Sequence, residues 1–134
     1  MARDGFDATP FEELFRCVEE TLDPASFEKM ATGFVTEMAY RAEKRIKKRT
    51  PVDTGHLRRS WMTTPAKKIG DSYVATIANN VEYAAYVEFG HRVGRNGTRW
   101  VDGRFMMTKS MAEIEQELPG RFERKMKDWL KRLD

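Results

Sequence analysis

The sequence predicts an α+β fold: a small antiparallel sheet packed against a long amphipathic helix, with additional N- and C-terminal helices. Three observations predict it. Apolar residues recur at helical spacing from Phe27 to Ile46, the period drops to two between Ser60 and Asn79, and helical spacing returns from Phe105 onward. At 134 residues the chain has the length of one domain. It divides into an N-terminal helical extension (1–26), a core (27–118) and a C-terminal amphipathic helix (119–134).

The first helix opens with Thr9 as N-cap, Pro10 at the first helical position and Glu12 three residues after the cap, and Phe11, Leu14, Phe15 and Val18 form its stripe. Asp23-Pro24 opens the second helix. There Phe27, Met30, Ala31, Phe34, Val35, Met38, Ala42 and Ile46 follow the i, i+3, i+4, i+7 rule, the strongest periodic signal in the chain. Lys47-Lys48-Arg49 suit a helix C-terminus, and Pro51 disfavours helix at Thr50. Ser60–Thr64 and Tyr73–Asn79 alternate around an Ile69-Gly70-Asp71 turn and read as a β-hairpin. Tyr83 to Phe89 fits a strand or one or two helical turns equally well. Gly90 to Arg99, rich in glycine and cations, reads as an exposed, mobile loop with Asn96-Gly97 at its tip, after which Trp100-Val101 resumes a strand. Phe105 to Leu118 is helical, with Met107, Met111, Ile114 and Leu118 on one face. Pro119-Gly120 is expected to break or kink it, and a last helix carries Phe122, Met126, Trp129, Leu130 and Leu133.

Charge is unevenly distributed. Residues 1–26 hold two arginines against seven carboxylates, whereas residues 41–59 hold eight cations against two carboxylates. Such polarity suits head-to-tail contact between identical subunits, and it equally suits phosphate binding. Eight Met and eight Phe point to adaptable packing or to surfaces buried only in a partner. The N-terminus has no apolar run of the signal-peptide kind, and no stretch approaches the roughly 20 apolar residues of a membrane span, so a soluble protein made in the cytosol is expected. Cys17, the only cysteine, sits among Leu14, Phe15 and Val18 and reads as a small buried hydrophobe. His56 and His91 are the only histidines, too few to favour metal or acid–base chemistry.

Three constellations invite a chemical reading. Asp53-Thr54-Gly55 spells the aspartic-protease triplet, but that chemistry needs paired aspartates at the ends of apolar strands, and here the triplet follows a charged helix end. A capped turn fits better, with Asp53 or Thr54 accepting backbone N–H bonds and Gly55 taking a conformation that a Cβ would oppose. Glu88 and His91 have Glu-x-x-His spacing, yet Gly90 lies between them and no third ligand is near, so Glu88 reads as a structural or inter-subunit hydrogen-bonding group. The basic stretch 41–59, with Arg92, Arg95 and Arg99, could grip nucleic acid against Tyr83 and Trp100. No sequence-reading helix accompanies it, so the reading is non-specific contact at most.

Thr50-Pro51-Val52-Asp53-Thr54-Gly55-His56-Leu57-Arg58-Arg59-Ser60, placed after an amphipathic helix, resembles the signature of the tail-completion and head–tail joining (neck) proteins of long-tailed phages and prophages. Tyr83-Ala84-Ala85-Tyr86-Val87-Glu88-Phe89-Gly90 resembles the family's next landmark in order and distance, and Phe105-Met106 its third, an aromatic residue opening the C-terminal helix. The resemblance covers roughly residues 27–118; the Ala-rich run usual at the end of the late helix is here Ser110-Met111-Ala112. It implies a structural subunit and not an enzyme, without cofactor or metal. The implied assembly is a ring, commonly of six copies, with a portal or head-completion protein above and the tail terminator or tail tube below. Genomic DNA would pass through the lumen without specific binding, and no membrane is involved. The virion neck, assembled in the bacterial host cytoplasm, is the implied location. A tail-terminator ring and a non-specific DNA-binding accessory protein are the alternatives. Pro51, Asp53, Thr54, Gly55, Leu57 and Arg58 are carried over as the motif turn and cap. Tyr83, Ala84, Tyr86, Glu88 and Gly90 are carried over as an inter-subunit segment, while Arg92, Arg95, Asn96, Gly97 and Arg99 form the candidate lumen or partner loop.

Overall fold

A computed structural model describes residues 24–52 and 55–132. The helix read at residues 9–18, Cys17, the Asp23 cap, Asp53, Thr54 and Leu133 lie outside the described residues. The described elements are α1 (Pro24–Arg49), α2 (His56–Arg59), β1 (Trp61–Ile69), β2 (Ser72–Asn79), α3 (Ala84–Phe89), β3 (Gly90–Val93), β4 (Arg99–Asp102) and α4 (Met106–Arg132). The architecture is α+β, as the change of period predicts.

Helix α1 starts at Pro24, whose fixed φ suits a first helical position, and ends at Arg49, just before Pro51. Its buried face is Phe27, Met30, Ala31, Phe34, Met38, Ala42 and Ile46, the expected stripe with Val35 left half-buried. Helix α4 packs antiparallel on it, because Phe27 meets Trp129 (ring centroids 5.9 Å apart) and Phe34 meets Phe122 (5.2 Å), while Arg49 pairs with Glu113. Burying each such aromatic contributes about 1.5–3 kcal/mol.

Strands β1 and β2 form an antiparallel hairpin that lies across α1 and sends Tyr73 and Ile77 into the core. Strand β1 runs five residues beyond Thr64, because a bulge at Pro65-Ala66 restores the register. Proline has no N–H to leave unpaired, and the Ala66 N–H donates to Thr36 Oγ1 on α1 at 2.8 Å, so the bulge is satisfied. Ile46, Leu57, Trp61 and Met106 form a second buried cluster at the far end of the helix pair, and Ile77 touches both clusters.

Two expectations are corrected. The segment read as a loop from Gly90 to Arg99 is the hairpin β3–β4, paired from Gly90↔Asp102 to Val93↔Arg99. Its 3-10 tip spans Arg95–Gly97, with Asn96 and Gly97 both left-handed (φ 62° each), so the Asn-Gly signal located the turn while the flanking charges hid the strands. Pro119-Gly120 does not break the last helix: α4 runs 27 residues through both. Its buried face is Met106, Ser110, Ile114, Phe122, Met126 and Trp129; the expected Met107, Met111 and Leu118 flank it half-buried, and Leu130 is exposed. The two sheets have two strands each, so every described strand is an edge.

Candidate functional site

The first motif closes the end of α1. Thr50, almost fully buried, donates through Oγ1 to the Ile46 carbonyl (2.7 Å) and accepts from Trp61 Nε1 (2.9 Å). The Thr50 carbonyl accepts from the Arg58 guanidinium at 3.0 Å, and the Leu57 carbonyl accepts from Asn79 Nδ2 at 2.9 Å. Gly55 has φ 79°, where a Cβ would also press within 2.6 Å of the Arg59 guanidinium. The chain thus turns from α1 through α2 into β1 around a hydrogen-bonded knot with Leu57 buried beneath it. Sequence reasoning singled out Pro51, Gly55, Leu57 and Arg58 but missed Thr50, Trp61 and Asn79, whose bonds span 11 and 22 residues.

The second motif is a socket for α4. Glu88, on α3, is buried, and its carboxylate accepts from the Met107 N–H (2.9 Å), the Thr108 N–H (2.9 Å) and Thr108 Oγ1 (2.7 Å). These amides belong to the first turn of α4, which has no partners for them within the helix, and the carboxylate also meets the positive end of the helix dipole. The Val87 and Glu88 carbonyls accept from Arg104 and Phe105 N–H, so the backbone is stitched alongside. Phe105 leads into α4 at φ 49°, a costly angle for a bulky residue that these bonds hold in place. Gly90 and Gly103 allow the chain after β4 to pass close against the end of α3. A Cβ on Gly103 would collide with the Glu88 carbonyl oxygen, and one on Gly90 would lie 2.7 Å from the Val101 oxygen.

This geometry separates Glu88 from His91. The carboxylate faces α4, whereas the His91 ring lies against Tyr86, with centroids 5.6 Å apart. Among the described residues no group of three or more His, Cys, Asp or Glu side chains is placed to hold a metal, and no helix is long and apolar enough to cross a membrane.

Four of the eight cations in the basic stretch are ion-paired among the described residues. Arg45 forms a fork with Glu117, Arg49 forms one with Glu113 (2.8 and 2.9 Å) and also donates to Ser110 Oγ (3.0 Å), and Lys47 pairs with Glu43 (3.3 Å). Arg121 reaches Glu117 from one turn further along α4 at 3.1 Å. Hydrogen bonding from Arg45, more than any other cause, holds the Glu117 carboxyl down at about 2; Arg49 lowers that of Glu113 in the same way. Two of the eight cations in the run, Arg45 and Arg49, are therefore cross-helix clamps, and Arg41 and Lys47 pair within α1 itself.

An exposed patch that combines aromatics and cations lies at α3 and the β3–β4 ribbon. Tyr83, Tyr86 and Phe89, three residues apart along α3 and its start, are all exposed. Tyr86 continues through His91 to its strand partner Val101, with Arg99 on the same ribbon face. Trp100 and Arg92 occupy the other face, Trp100 lying over Gly90. Ala84, by contrast, packs inward on the second cluster. Arg95 and Arg99 make no ion pair among the described residues, and Arg92 donates to the Gly97 carbonyl at 3.3 Å.

No curated protein and no solved structure matches the chain. The family model described as "Bacteriophage HK97-gp10, putative tail-component" matches residues 16–90, more than half of the chain, a span that holds the Thr50–Ser60 turn and the Tyr83–Gly90 socket in full. The chain belongs to this HK97-gp10-like family of phage tail components.

Proposed function

We propose that the chain is a structural subunit of the phage neck, a tail-completion protein that assembles as a ring of six copies. It would join portal or head-completion proteins to the tail tube, with DNA passing through the lumen unread. One observation carries this reading: Tyr86 and Phe89, on α3, are 59% and 61% exposed in a chain of which 34% is charged. Large aromatics left in water and rimmed by cations mark a contact surface. A stable contact buries about 800 Å² per partner, and these side chains are suited to its centre. Membership in a family of phage tail components supplies the setting.

The motif residues support a role without catalysis. Glu88, the acidic residue of the second motif, is occupied as a helix cap. The clamping of Arg45 and Arg49 by Glu117 and Glu113 weighs against DNA binding by the α1 end.

The test is Tyr86→Ser combined with Phe89→Ser. Both side chains are exposed, so the melting temperature of the purified chain should barely change, whereas joining of heads to tails should fail and electron microscopy should show necks lacking the ring. Heads and tails that join normally with the double variant would overturn the proposal.

A further inference from the structure

We infer that segment 1–23 docks on its own chain, in a groove that runs between β2 and α4 along one side of the helix pair. Docking of this kind needs no second copy and stands apart from the ring reading.

The groove is defined by apolar side chains that the core leaves half in water. No residue of β2 is buried, although its inward-facing Tyr73 and Ile77 pack on the first core cluster. On α4, Met111 and Leu118 pack on the same cluster and are also only half-buried. At about 100° per residue, these two lie on one side of the buried face of α4, while Glu113 and Glu117 lie on the other. Arg45 and Arg49 of α1 close the Glu113–Glu117 side. The hairpin therefore shares its side of the core with Met111 and Leu118, and the four half-buried apolar side chains line one groove.

The segment matches the groove in chemistry and in reach. It carries Phe6, Phe11, Leu14, Phe15, Val18 and Leu22, apolar side chains that gain from leaving water together with the groove walls. It joins α1 at Pro24, and one turn on, Phe27 meets both Tyr73 (ring centroids 6.3 Å apart) and Trp129 (5.9 Å). The segment is thus attached at the mouth of the groove. From Trp129 back to Met111 the groove follows α4 for about 27 Å. The whole segment covers about 35 Å even if fully helical, and more in any extended form, so all of the groove is within reach.

Attachment also decides between this chain and a neighbour. A segment tethered at the mouth meets the groove at an effective concentration in the millimolar range, which a separate copy in dilute solution does not match. A cleft lined by Lys29, Lys125 and Arg132 also lies near Pro24, but it offers only Met30 and Trp129 beneath its charged rim. Six apolar side chains find more cover in the groove.

Cys17, the only cysteine, reports which seat is taken. Leu118→Cys is introduced in the groove and, in a second full-length chain, Lys125→Cys in the cleft; each protein is treated in dilute solution with a short bismaleimide. The expected product is a link from Cys17 to position 118 within one chain, several-fold more abundant than the link to position 125. Its yield should hold on roughly tenfold dilution, as an intramolecular reaction requires. Phe11→Ser with Phe15→Ser, in a chain otherwise unaltered, should lower the melting temperature by several degrees at every protein concentration. A link to position 125 in preference to 118 overturns the inference, as does a link formed only between chains, or none. So does a double variant that melts like the parent, because a segment undocked in the free chain adds nothing to its melting temperature. None of these measurements reads the assembly of necks, so their failure leaves the ring reading intact.

Discussion

Glu88 is where the chemistry of one residue decides local structure. Its carboxylate accepts three hydrogen bonds from the first turn of α4, and it is almost fully buried. Glu88→Gln keeps the shape but loses the charge and exchanges one acceptor for a donor facing an N–H. A loss of about 1–3 kcal/mol is expected, read as a lower urea midpoint with unchanged slope. Glu88→Asp should also lose stability, since the shorter side chain does not reach both amides. Sequence context points to a structural hydrogen bond at Glu88 but not to its partners, because Met107 and Thr108 stand 19 and 20 residues away. The same holds for Thr50, whose neighbours in sequence give no sign that Trp61 completes its hydrogen bonding.

At the scale of elements, periodicity was informative wherever a face is buried. The α1 stripe and the β1–β2 hairpin follow their patterns because each is half in water. Two elements escaped for opposite reasons. Strands β3 and β4 bury little, so no alternation marks them, and only the Asn96-Gly97 turn betrays the hairpin. Helix α4 passes through Pro119 because packing of Phe122, Met126 and Trp129 against α1 outweighs the local cost of a proline. Gly120 sits in the same stretch with ordinary φ, and a Cβ there would meet only the Arg124 guanidinium at 3.6 Å. Gly120→Ala should therefore stabilise the protein by about 0.5–1 kcal/mol, a rise in melting temperature of several degrees.

Across the whole molecule, the cross-helix clamps tie stability to pH. Glu117 titrates at about 2 in the folded chain, against about 4.3 in an unfolded one, and Glu113 is lowered as well. A lowered folded value means that the contribution is complete above the unfolded value and is lost as pH falls toward the folded one. The urea midpoint should thus decline between about pH 4.3 and 2, and Glu117→Gln should decline less steeply over that window; parallel profiles would show that the clamp contributes nothing. These clamps were invisible in the sequence because Arg45 and Glu117 are joined only by the antiparallel packing of α1 and α4. The edge strands have a further consequence. Strand β1 is guarded by Pro65, its bulge and Lys67-Lys68, all of which obstruct an incoming backbone. The outer edge of β4 has no proline and no bulge, so in free chain kept at high concentration its two terminal charges, Arg99 and Asp102, are what guard it against strand-on-strand polymerisation.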